Sequence, residues 1–87
     1  MAAVARWTIE ADRVRRVDPS PGRDTTAAFT FWLQADGAER QITVEYARGA
    51  DASVADASAN VRQFVNEDIP PRRLIVDRQG GVSAWVD

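Results

Sequence analysis

Two alternating runs joined by Asp36-Gly37 commit the middle of this chain to a β-hairpin. In the first run Ala27, Phe29, Phe31, Leu33 and Ala35 alternate with Ala28, Thr30, Trp32 and Gln34. In the second, Ile42, Val44 and Tyr46 alternate with Gln41, Thr43 and Glu45. Asp-Gly between such runs is the signal of a two-residue type I′ turn. That turn sets Ala35 opposite Ala38, so Phe31 faces Ile42, Phe29 faces Val44 and Ala27 faces Tyr46. The opposite face then pairs Trp32 with Gln41, Thr30 with Thr43 and Ala28 with Glu45. Pattern and turn agree independently.

The flanking segments read in the same way. Trp7, Ile9 and Ala11 alternate with Arg6, Thr8, Glu10 and Asp12, which is strand periodicity. The phase slips after Asp12, where Val14 and Val17 are three apart, and a β-bulge or a bend off the sheet would account for it. Asp18 to Asp24 carries the proline and glycine of a loop. After the hairpin, Val54, Ala57, Val61, Phe64 and Val65 follow helical spacing. Ser53 and Asp56 form a candidate capping box, with Asp51 as an alternative cap. Pro70-Pro71 ends the helical segment. The tail reads as a second hairpin with Gln79-Gly80-Gly81 as its loop, so that Leu74 faces Val86, Val76 faces Ala84 and Ile75 faces Trp85. Leu74, Val76, Val82, Ala84 and Val86 then share the core face. The expected fold is a single α+β domain over residues 1–87: an antiparallel sheet of four or five strands in the order βββαββ, with one amphipathic helix on one face.

Composition removes most chemistry. The chain has no Cys and no His, and all 11 of its basic residues are Arg. It therefore lacks a thiolate, an imidazole base and a lysine amine. Carboxylates and Tyr46 are the remaining acid–base groups, and paired-carboxylate catalysis needs a deeper cleft than 87 residues build. Tyr46 itself reads as a half-buried aromatic whose hydroxyl reaches water. The expectation is no enzyme, no cofactor and no metal: Asp51 and Asp56 fit a helix start, and no calcium-loop pattern follows them. Gly80-Gly81 and Asp36-Gly37 are turn glycines, since neither opens a helix after a strand. No uncharged stretch approaches the ~20 residues of a membrane span. The first six residues lack the regions of a signal peptide, so the expected location is the cytoplasm.

Two binding surfaces remain. A net charge of −2 gives no global basic field, yet Arg13, Arg15 and Arg16, joined by Arg23, form one local cluster, and Arg72 and Arg73, joined by Arg78, form another. With an exposed Trp, such clusters could hold nucleic acid through phosphates and base stacking. Asp12, Asp18, Asp24 and Asp77 interrupt them, so nucleic acid is the less favoured partner. The favoured surface is apolar. One helix covers one face of the sheet, and the register places Trp32, Ile75 and Trp85 on the other. Large apolar residues left on a surface mark interfaces, so the expected role is a small interaction module. It would be a two-fold homodimer that binds protein or a small apolar ligand through the helix-free face or the dimer groove.

Overall fold

The computed structural model describes residues 7–19, 24–50, 52–66 and 69–86, with backbone alone at 11 and 12. The signal-peptide reading of the first six residues, the alternative cap Asp51 and the cluster member Arg23 lie outside the described residues. Among the described residues, five strands and one helix follow in the expected order: β1 (Thr8–Val17), β2 (Thr25–Ala35), β3 (Ala38–Ala47), α1 (Val54–Arg62), β4 (Arg73–Val76) and β5 (Val82–Trp85). They form one sheet in the order β1-β2-β3-β4-β5.

The central hairpin has the expected register at every pair, from Ala35 with Ala38 to Ala27 with Tyr46. Its turn differs in type. Gly37 has φ of +74°, but Asp36 keeps a negative φ, which excludes the type I′ geometry that needs both residues positive. The slip in β1 is also real. Ile9 pairs with Leu33 and Val14 with Phe31, so β1 advances from 9 to 14 while β2 steps only from 33 to 31.

One expectation about the sheet is corrected. It is mixed rather than antiparallel, because β3 and β4 run parallel, with Thr43 beside Arg73 and Tyr46 beside Val76. A parallel neighbour needs a crossover of a dozen residues or more, and residues 48–72 supply it, with α1 inside. Ser53 caps α1: its hydroxyl accepts from the Asp56 backbone N–H at 3.1 Å, while the Asp56 carboxylate accepts from the Ser53 N–H at 3.2 Å.

Ala57 and Val61 of α1 lie in the core with Phe29, Phe31, Leu33, Ile42, Val44, Tyr46, Leu74 and Val76. Val54, expected on that stripe, is instead 47% exposed at the first position of the helix. A helix ~10 Å across covers little more than two strands spaced ~4.8 Å apart. The far end of β5 is therefore left open: Val82 still packs against the core, but Ala84 is exposed, Val86 is 50% exposed, and neither joins the core as expected. No helix among the described residues is long and apolar enough to cross a membrane.

The second hairpin corrects another expectation. Leu74 pairs with Ala84, Ile75 with Ser83 and Arg73 with Trp85, two residues away from the expected register. The loop is longer because Asp77 organises it. Asp77 Oδ1 accepts from the N–H groups of Gln79 at 2.9 Å and Gly81 at 2.8 Å, and the Asp77 N–H donates to Gly81 O at 2.9 Å. An even shift leaves every side chain on its expected face.

Candidate functional site

The strand registers fix what the helix-free face displays. One row runs across all five strands as Arg15, Thr30, Thr43, Arg73 and Trp85. The next runs as Val17, Ala28, Glu45, Ile75 and Ser83. Trp32 and Gln41 continue the face on the far side of the first row. Ile75 and Trp85 therefore stand on adjacent rows and adjacent strands, while Trp32 lies toward the β1 edge. The three expected anchors share one face but do not form one patch.

The middle of this face is already closed. Ala28 is 0% exposed, Thr30 7% and Glu45 2%. The Thr30 and Thr43 hydroxyls lie 3.1 Å apart and share a hydrogen bond across the strands. A carboxylate as buried as Glu45 needs partners. Thr25 Oγ1 donates to Glu45 Oε1 at 3.4 Å, and Arg73 Nε lies 3.8 Å from Oε2.

Trp32 is half-buried on β2, on the side of its neighbour β1. The slip in β1 brings Arg13 over it, with the guanidinium carbon 4.5 Å from the ring centre. The cation meets the electron-rich ring face there. Arg13 is anchored by Glu39 at 3.0 Å and Glu10 at 3.3 Å. Trp32 Nε1 is buried and donates to no acceptor among the described residues. Trp85 is the open member, 41% exposed on β5.

The arginines of the two clusters are dispersed. Arg15 and Arg73 stand in the same row of the helix-free face, but Arg16 pairs with Phe29 on the helix side, its guanidinium carbon 5.8 Å from that ring. Arg13 and Arg73 lie beside carboxylates. Arg72 precedes β4, where its N–H donates to Trp85 O at 2.8 Å and its carbonyl accepts from Thr43 N.

Arg40 escaped the sequence reading. It shares the apolar phase of β3, two before Ile42, and that charged intruder was the available signal. Its Nε donates to Pro70 O at 2.7 Å and its Nη2 to Val86 O at 2.9 Å, tying β3 to the entry of β4 and the end of β5. Burial, and then the neighbouring Arg72 charge, lower its guanidinium from the ordinary value. Glu39, Arg40, Gln41 and Arg72 line an open cleft of about 320 Å³ there.

Tyr46 also differs from expectation. Its hydroxyl does not reach water but donates to Asn60 Oδ1 at 2.5 Å. Burial first, and the Asp56 carboxylate second, push it up to about 12. Comparison of the chain with known protein families, with curated proteins and with solved structures finds no match in any of the three.

Proposed function

We propose that the protein is a small non-enzymatic interaction module that forms a homodimer and binds protein through the end of the helix-free face carrying Trp85 and Ile75. The observation that carries this reading is the 41% exposure of Trp85, on the helix-free face of the edge strand β5. A Trp left in water at a sheet edge is the kind of anchor that interfaces bury. Trp32 contributes less, because Arg13 already covers its ring. The absence of His, Cys and Lys supports the non-enzymatic part. So does Tyr46, whose bonded, high-pKa hydroxyl is no base at neutral pH.

Light scattering on the wild type, Trp85→Ala and Trp32→Ala tests this. The expected result is twice the chain mass for the wild type and Trp32→Ala, and a folded monomer for Trp85→Ala. A wild-type monomer at every concentration would remove the homodimer.

Nucleic acid is the second reading, favoured by Arg15 and Arg73 standing in one row with Trp85. It requires binding of a labelled single-stranded oligonucleotide that weakens steeply with salt. No binding at low salt would end it.

A further inference from the structure

We infer that β5 pairs antiparallel with β5 of a second copy, about a two-fold axis through Ala84, so that the two sheets join edge to edge. This pairing rests on the homodimer reading above and supplies its contact.

The two edges of the sheet are built differently. β1 carries Glu10, Arg13, Arg15 and Arg16 and an irregular register, the charges and distortion that keep an edge from pairing with another chain. Val82-Ser83-Ala84-Trp85-Val86 has no charge and no proline, and β5 pairs regularly with β4 on its inner side. Among the described residues no strand meets its outer side. Ser83, Ala84, Trp85 and Val86 are all exposed. Such an edge is a template for another strand.

The segment is complementary to itself. An axis through Ala84 sets Val82 opposite the partner's Val86 on the helix side, and Trp85 opposite the partner's Ser83 on the other. Apolar meets apolar, large meets small, and no like charges face each other. Moving the axis to Ser83 runs Val86 into the turn at Gly80, where φ is +87°. Moving it to Trp85 sets two indoles directly opposite. Because Ser83 pairs with Ile75, the row from Arg73 through Trp85 continues across the axis to the partner's Ser83 and the partner's Ile75. Trp85 and Ile75 thus come to share one seam.

A face-to-face stack has less to offer. It would need the centre of the helix-free face, where Ala28, Thr30 and Glu45 are already buried within one chain. The edge seam is short, below the ~1,200 Å² of standard interfaces, so the dimer dissociates on dilution.

Single-cysteine variants test the pairing in a chain that has no native Cys. Facing Cα atoms of an antiparallel pair lie about 4.5–5.5 Å apart, inside the ~4.4–6.8 Å that a disulfide spans. Ala84→Cys should therefore convert almost completely to a covalent dimer under mild oxidation. Ile75→Cys, three strand spacings or at least ~14 Å from its mate, should not. Ala84→Lys should remain folded by circular dichroism and lose the dimer, because like charges then meet on the axis. If Ala84→Cys is a dimer by light scattering yet its two chains stay unlinked, or if Ala84→Lys is still a dimer, the edge pairing is overturned and the homodimer reading stands. A wild-type monomer at all concentrations overturns both.

Discussion

Arg13 holds its guanidinium carbon 4.5 Å from the centre of the Trp32 ring, and this contact divides the helix-free face into a covered end and an open one. The three residues by which β1 outruns β2 between Ile9 and Val14 bring the cation there. Had β1 kept the register that pairs Ile9 with Leu33, Glu10 rather than Arg13 would stand opposite Trp32.

Arg13→Ala should accordingly uncover Trp32 and cost about 1 kcal/mol, from a cation–π contact of ~0.5–1 kcal/mol and two half-exposed ion pairs of little value. Urea unfolding gives the stability. Quenching of tryptophan fluorescence should rise relative to wild type, and an unchanged quenching constant would mean that other groups shield the ring.

Arg40→Ala should cost more, about 2–3 kcal/mol, because two carbonyls lose a charged donor. Arg40→Lys should recover less than half of it, since an ammonium cannot reproduce the fork that serves Pro70 and Val86 together. The urea midpoint should fall while its slope stays constant. Full recovery by Lys would show that charge alone suffices.

The hydroxyl of Tyr46, the chain's single tyrosine, titrates near 10 in an unfolded chain and at about 12 in the fold. Above pH 10 the unfolded state therefore binds fewer protons than the native state, so stability falls as pH rises. The contribution is complete below pH 10 and disappears as pH rises through about 12. Tyr46→Phe should abolish this part of the slope and cost about 1 kcal/mol for the lost bond to Asn60. Ultraviolet titration of wild type should give an apparent value well above that of free tyrosine.

Asp77→Ala should cost about 1 kcal/mol by releasing two loop N–H groups, whereas Asp77→Asn retains an acceptor oxygen and most of the stability. Thermal unfolding compares the three. Equal losses for Ala and Asn would place the effect in the charge rather than in the turn.

What could be read from the sequence follows how local each determinant is. The Phe29–Val44 and Phe31–Ile42 pairings are set by alternation and by a turn two residues long, and Ser53 with Asp56 marks the helix start within four residues. The shift between Ile75–Trp85 and Ile75–Ser83 left no trace, because a two-residue slip keeps each side chain on its face and the deciding bonds come from the Asp77 carboxylate. The parallel partnership of Val44 with Leu74 joins strands far apart in the chain. Its signal was the length of residues 48–72, enough for a crossover and more than a hairpin needs. Trp32, Ile75 and Trp85 fell on the expected face, but the position of Arg13 over Trp32 depends on where the slip in β1 sets that side chain, and periodicity cannot say this.

The parallel joint of β3 and β4 rests on four residue pairs, Thr43–Arg73 to Tyr46–Val76, against the full length of the β2–β3 ladder. The outer hairpin is thus attached along a short seam, while the central hairpin is closed on itself by its own turn. Opening of the native state should therefore be graded. Amides of β5, and then β4, should exchange with deuterium through a partial unfolding in which the central hairpin stays intact, and Ile42 and Val44 should exchange last. A partner strand on β5 would slow that outer exchange first, so amide protection reads occupancy of the edge without any label on the chain.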